Sequence, residues 1–301
     1  MGSGSFSASS YRSFTASTAG KSTAHIYKSR SIDASLNPHG VALRESRDSA
    51  DNPASTPIIV ALDVTGSMGV IADNIARQGL GVLFNEILSR KPITNPHLMF
   101  MAVGDAHCDD APLQVSQFEA DNRIVEQLTK IWLEGGGGGN KCESYNLPWY
   151  FAARHTEHDS LIKRGKRGYL FTIGDEEAPT NLTPAQITKF IGTTPQHVPT
   201  SAELLREAQR KYDVFHVIIS QGDYCRQHKD DVVASWRALL GQHVIVLDDY
   251  TKLAETIVST IEVVEGRDAD KVTVSFGPAV AKAVKHLTPA VKPTLALPSH
   301  T

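Results

Sequence analysis

The chain has 301 residues, 41% hydrophobic and 21% charged, which is ordinary globular composition and enough length for one large core or two small ones. Its formal net charge of -3 gives no electrostatic footprint for nucleic acid or an anionic membrane surface, both of which require clustered Lys and Arg. Three cysteines, Cys108, Cys142 and Cys225, lack any C-x-x-C spacing, so neither a disulfide scaffold nor a structural zinc site is expected, and a reducing, cytoplasmic setting is the simplest reading.

The opening, MGSGSFSASSYRSF, has no basic n-region followed by an apolar h-region, and no segment approaches the roughly 20 apolar residues that cross a bilayer. Secretion by a standard signal is not expected, and the weak likeness of Met1-Gly2-Ser3 to a myristoylation signal is set aside in favour of a flexible leader. Residues 1–56 are rich in Ser, Thr, Ala and Gly and read as a mostly flexible arm, with Ala24 to Tyr27 as the place for an added edge strand. At Pro57 the character changes. PIIVALD is a continuous β-branched apolar run that suits a strand buried on both faces.

From Val70 to Leu88 apolar residues recur at helical spacing, and HLMFMAVG then reads as a second buried strand. PLQVSQF, 112–118, alternates like a short edge strand, and a helix is expected from Asp121 to about Leu133, stopped by the glycine run Gly135 to Gly139. Further on come a helix from Glu143 to His155, the strand GYLFTIG and a helix from Thr183 to Ile191 opened by Thr183-Pro184. A helix from Ala202 to Tyr212, the strand VFHVIIS, a helix from Asp230 to Leu240, the strand HVIVLDD and a helix from Tyr250 to Val264 complete the pattern. Buried strands separated by single helices predict an α/β fold, a doubly wound, mostly parallel, Rossmann-like sheet flanked by helices over residues 57–265. Residues 266–301 form a C-terminal extension whose apolar stretch, VTVSFGPAVAKAVKHL, is too short to stand alone.

In such sheets ligands sit beyond the carboxyl ends of the strands. The first strand ends in DVTGSM, where Asp63, Thr65 and Ser67 alternate and a tight loop through Gly66 can turn a carboxylate and two hydroxyls to a common point. Hard oxygen donors of that kind suit Mg²⁺. GYLFTIG ends in Asp175-Glu176-Glu177, and the loop before Glu143 carries Gly135 to Asn140.

DVTGSM resembles the DxSxS signature, in its DxTGS form, of the metal-ion-dependent adhesion site of von Willebrand factor A domains, and the order of elements from about Pro57 to Val264 is similar to that family's. The resemblance, to an intracellular bacterial- or phage-type member, implies a cation held by Asp63, Thr65, Ser67 and Asp175. In the family a second loop, commonly Gly-Gly-Thr, gives a further ligand. Here Gly139 is followed by Asn140, so Asn140, Glu143 or Ser144 would replace the missing Thr, directly or through water. With Glu143 included, Ca²⁺ or Mn²⁺ would fit as readily as Mg²⁺. The implied mechanism is non-enzymatic: the cation keeps one position for an Asp or Glu carboxylate of a partner protein. Intracellular relatives act as adaptors or assembly factors, several beside AAA+ ATPases, which is analogy alone.

Blander and rival readings stand beside this one. DVTGSM also suits a helix N-cap, and the glycine run a linker. GDAHCDD, 104–110, with Gly139-Asn140 faintly echoes metallophosphoesterase motifs, which makes a metal-dependent hydrolase using Asp63 and Asp105 to Asp110 the runner-up. The D-x-H pair of those enzymes is missing, and no second acid follows Asp63 as a haloacid-dehalogenase-type phosphatase requires. His155 and His158 read as part of a solvated helix terminus, Trp132, Trp149, Tyr150 and Phe151 as core, and KRGKRG, 163–168, as a charged turn.

Overall fold

The computed structural model describes residues 4, 21–75, 80–274 and 276–289. Eight strands occur among them: β1 (Arg44–Ser46), β2 (Thr56–Asp63), β3 (Pro96–Val103), β4 (Leu113–Val115), β5 (Thr156–His158), β6 (Gly168–Gly174), β7 (Tyr212–Ile219) and β8 (Val244–Leu247). Six of them form one sheet in the order β4-β3-β2-β6-β7-β8, parallel throughout except for the antiparallel edge strand β4. The doubly wound sheet read from the alternation of runs is therefore present.

Every residue of β2 is buried, as a β-branched run covered on both faces must be. Its side chains alternate between two cores. Ile58, Val60 and Leu62 face a layer that includes Ile71, Leu83, Ile87, Ile257 and Ile261, from helices Gly69–Asn74, Leu80–Arg90 and Leu253–Val264. Ile59 and Ala61 face Leu147, Phe151, Leu204 and Trp236, from helices Asn146–Arg154, Ser201–Gln209 and Asp223–Leu240. Strand β2 passes to β3 on one side, and β6 passes to β7 on the other. The connections thus diverge between β2 and β6, and the carboxyl ends of those two strands bound the crevice where such sheets bind ligands.

Several boundaries differ from the sequence reading for identifiable reasons. The predicted helix 70–88 comprises Gly69–Asn74 and Leu80–Arg90, with 76–79 outside the described residues. The helix expected to reach Leu133 ends at Leu128. The Gln114 side chain brackets Trp132, accepting from its N–H at 2.9 Å and donating to its carbonyl at 2.8 Å, so edge-strand bonds replace helical ones. The helix expected from Asp230 starts at Asp223, bent at His228 where φ is -129° and ψ 29°.

The segment 21–56 lies against the body. Thr23–Ile26 is a turn of helix where an edge strand was expected, Tyr27 and Leu36 are buried in the core, and β1 pairs in parallel with β5. That pairing also buries His155 and His158, expected at a solvated terminus. His155 bonds the Val41 carbonyl, while His158 caps the helix Asp159–Arg164 and bonds the Lys211 carbonyl. The basic run 163–168 is paired with acids: Lys163 and Arg164 with Asp48, Lys166 with Glu265, and Arg167 with Asp213. At the other terminus, helices Ala269–Val274 and Pro278–Val284 dock through Val272, Val280, Val284 and Leu287 onto the first core layer. No described helix is long and apolar enough to cross a membrane.

Candidate metal centre

Strand β2 delivers Asp63 to the carboxyl edge, and the turn that follows folds back on it. Asp63 Oδ1 accepts from the Thr65 backbone N–H at 2.9 Å and from Thr65 Oγ1 at 2.6 Å. Thr65 Oγ1 lies 3.3 Å from Ser67 Oγ, which donates to Asp175 Oδ1 at 2.8 Å. Asp175 directly follows β6, and its Oδ2 accepts from the Tyr224 backbone N–H at 2.9 Å. Four of the predicted residues, Asp63, Thr65, Ser67 and Asp175, thus form two hydrogen-bonded pairs, Thr65 on Asp63 and Ser67 on Asp175, whose hydroxyl oxygens meet at 3.3 Å in the crevice between β2 and β6. Neither Thr65 nor Ser67 acts as an N-cap: the helix Gly69–Asn74 has Met68 at that position and no side-chain cap.

The glycine run packs on this turn as a shaped loop. Gly66 N–H donates to the Gly136 carbonyl at 2.7 Å, and Gly135, Gly137 and Gly139 have φ of 67°, 124° and 67°, a left-handed alternation that side chains disfavour. Asp109 braces the loop, accepting from Gly137 N–H at 3.2 Å and from Asp105 N–H at 2.7 Å. Asp105 in turn accepts from His107 N–H and from the Asn140 amide, both bonds serving loop geometry.

The three candidates for the missing Thr, Asn140, Glu143 and Ser144, are therefore placed differently. Asn140 is bonded to Asp105 at 2.8 Å and makes no hydrogen bond to Asp63, Thr65, Ser67 or Asp175. Glu143 is 1% exposed and lies beside the turn: a Cβ on Gly137 would sit 3.7 Å from its Oε1 and 3.9 Å from Thr65 Cβ. Its Oε2 is enclosed without a hydrogen-bond partner, as is Oε2 of the buried Glu176. Ser144 ties the two loops together by accepting from Ala106 N–H at 2.9 Å.

Sequence reasoning passed over two residues. Tyr145, read only as part of a helix, is fully buried and donates from its hydroxyl to Asp63 Oδ2 at 2.6 Å. Gly222, at the end of the β7 connection, leaves room for Asp175, since a Cβ there would lie 2.3 Å from Asp175 Cβ. The position of Gly222 just past a strand end was a signal available in the sequence. Nothing local marks Tyr145.

Electrostatically the crevice holds crowded acid. Asp63, Asp105, Asp109, Glu143, Asp175 and Glu176 are all buried, and none is in an ion pair with Lys or Arg among the described residues. Burial, then the charge of Asp175, pushes Asp63 up to about 7. Burial, then Asp63, pushes Glu143 up to about 10, and burial, then Asp63 and Asp175, raises Glu176 to about 8. Among the described residues no group of three or more His, Cys, Asp and Glu side chains is arranged to hold a metal ion. The linked donor set is instead two carboxylates and two hydroxyls, hard oxygens whose chemistry fits Mg²⁺ or Ca²⁺, and the orphaned Glu143 Oε2 belongs to a buried acid whose proton a bound cation would displace.

No family model and no curated protein matches the chain. Solved structures similar to it include a von Willebrand factor type A protein from Catenulispora acidiphila, 13% identical over 71% of this chain and 44% of that one, with a TM-score of 0.41. Proximal thread matrix protein 1 from the mussel byssus is 10% identical over 73% of this chain and 48% of that one, with a TM-score of 0.44. The pilus adhesin SpaC from Lactobacillus rhamnosus GG, in its open conformation, is 9% identical over 72% of this chain and 31% of that one, with a TM-score of 0.45. The chain thus spans less than half the length of each of these proteins.

Proposed function

We propose that the protein is a metal-dependent protein-interaction module, in which Asp63, Thr65, Ser67 and Asp175 hold a divalent cation with Glu143 beside them. Mg²⁺ is the first choice, and the third carboxylate also admits Mn²⁺ or Ca²⁺. The observation that carries this reading is the convergence of two hydrogen-bonded pairs, Thr65 on Asp63 and Ser67 on Asp175, with hydroxyl oxygens 3.3 Å apart at the divergence point of the sheet, amid acids that share no Lys or Arg among the described residues. When bound, the cation supplies a Lewis-acidic position that an Asp or Glu carboxylate of a partner protein completes. The chain's own residues do the rest: the Ser67 and Thr65 hydroxyls keep lone pairs free while donating to the two Asp side chains, and Tyr145 fixes the rear oxygen of Asp63. An adaptor or assembly role, with an AAA+ ATPase system as one candidate partner, follows from the sequence resemblance and belongs to the same proposal.

The test is thermal unfolding in EDTA and in titrations with Mg²⁺, Mn²⁺ or Ca²⁺ up to about 100 times the apparent Kd, where a ligand of the folded state alone adds about 2.7 kcal/mol. A raised midpoint that disappears in Asp63→Ala and Ser67→Ala supports the site. No shift with any of the three ions rejects it. Pull-downs with the same variants then separate cation-dependent capture from a merely structural cation.

A further inference from the structure

A second feature lies away from the acid crevice, along the β4 edge of the sheet. An open groove of about 630 Å³ runs between the segment 34–44 and the segment 117–130, with Asn37, His39, Arg44, Gln117, Gln127 and Lys130 among its lining residues. Its volume is that of a small-molecule site. The walls are built and fixed. Leu36 is buried and its carbonyl accepts from Val115 N–H at 2.7 Å, Gly40 N–H donates to the Ile191 carbonyl at 3.0 Å, and Asn37 accepts from His39 N–H at 2.9 Å. On the facing side Gln127 accepts from Gln117 N–H at 2.7 Å and donates to Glu119 at 2.9 Å.

The charge in this groove is unbalanced at Arg44. Arg47, Arg90, Arg154, Arg164 and Arg167 each pair with a carboxylate. Arg44 is half-buried, and among the described residues its side chain makes one hydrogen bond, to the Ser35 carbonyl at 3.2 Å, while its Nε is enclosed without a partner. Burial alone lowers its affinity for the proton, with no acid acting the other way. The acids in the wall do not serve it: Glu119 is held by Arg123 at 3.1 Å, and Glu126 is exposed, where solvent and salt screen it. Lys130, on the opposite side, makes no close ion pair among the described residues, and its charge favours ionisation of the more distant Asp33. A partly desolvated guanidinium without a counter-charge is costly, and a planar fork of N–H donors matches a carboxylate or phosphate.

We propose that this groove binds a small organic anion, a carboxylate or phosphate ester of metabolite size, with Arg44 as the fixed counter-charge and Lys130 as a second one. The proposal is independent of the cation reading. It is tested on the full chain in EDTA by calorimetric titration and thermal unfolding with succinate, phosphoglycolate and inorganic phosphate, each against sodium chloride at equal ionic strength. The expected result is saturable binding of at least one probe, weakened about tenfold or more in Arg44→Gln, the usual effect of losing a charge-assisted bond, and less severely in Lys130→Gln. Succinate against the two phosphates tells which oxyanion the groove takes. Absence of binding beyond the chloride control for all three probes overturns the proposal, as does unchanged binding in Arg44→Gln. Should Arg44→Gln fail to fold, the exposed Lys130→Gln decides by the same criterion, unchanged affinity counting against the groove.

Discussion

The bond between Tyr145 and Asp63 offers a direct probe of the crevice, because its strength is predicted to change with pH. Both side chains are 0% exposed, so no water replaces the phenol when Tyr145→Phe removes it. The ring itself stays supported, edge-on to His216 at 5.1 Å and to Trp236 at 5.4 Å between centroids. The substitution therefore deletes one donor, 2.6 Å from Asp63 Oδ2, with little other change. A hydrogen bond to a charged group contributes about 1.5–3 kcal/mol, and one between neutral groups about 0.5–1.5 kcal/mol. Burial and Asp175 place the Asp63 ionisation at about 7, so in EDTA the carboxyl is mainly ionised at pH 8 and mainly neutral at pH 5. A double-mutant cycle of Tyr145→Phe and Asp63→Asn, read by urea unfolding, should give a coupling of about 2 kcal/mol at pH 8 that falls to about 1 kcal/mol or less at pH 5. A coupling below about 0.5 kcal/mol at pH 8, or one that grows on acidification, refutes the placement of an ionisable Asp63 against the phenol.

Two further outcomes follow from the same geometry. The folded state raises the ionisation of Asp63 and Glu176 to about 7 and about 8, above their unfolded values near 4, so the cation-free protein binds more protons folded than unfolded. Its stability is then greatest below pH 4 to 5 as far as these groups are concerned and declines as pH rises to about 8, by at most about 1.4 kcal/mol per pH unit for each group; chemical unfolding across that range in EDTA measures it, and a flat profile would contradict it. Gly222→Ala should lower stability by about 1–3 kcal/mol through the clash with Asp175 and weaken any cation-induced rise in the unfolding midpoint, whereas Gly241→Ala, whose Cβ would meet nothing within 4 Å but whose φ of 58° strains any side chain, should lower stability and leave the cation response intact.

The strands were legible because their burial is written in single runs. PIIVALD, HLMFMAVG, GYLFTIG and VFHVIIS are each dominated by apolar residues, interrupted only by Thr172 and His216, and bounded by Pro, Gly or polar residues, so length and composition identify them. Helix ends were less legible because they depend on distant side chains, as Gln114 shows in ending the 123–128 helix through bonds to Trp132. The 21–56 segment was misjudged for a related reason. It is too poor in apolar residues to form a core of its own, yet Tyr27 and Leu36 fill places in a core that other segments build. Of the crevice, DVTGSM and Asp175 could be read from motif and order. Tyr145 could not, since its partner lies 82 residues away and a tyrosine in a helix otherwise signals only packing.

The two ends of the central sheet also differ in a way that bears on function. At the amino ends of the strands the charges are mutually satisfied, with Arg164 on Asp48, Arg167 on Asp213 and Lys166 on Glu265. At the carboxyl ends six buried acids share no Lys or Arg among the described residues, two of their oxygens lack any donor, and a loop needing repeated left-handed glycines is packed against them. Apolar side chains of similar size would be at least as stable there, because buried charge is costly even when it is paired. Asp248, directly after β8 at the same carboxyl edge, is paired with Lys229 and Lys282, so the imbalance is local to the crevice rather than a general failing of the fold. Concentrated violations of the rules the rest of a chain obeys mark the place where stability has been given up for binding, and here that place coincides with the divergence point of the sheet.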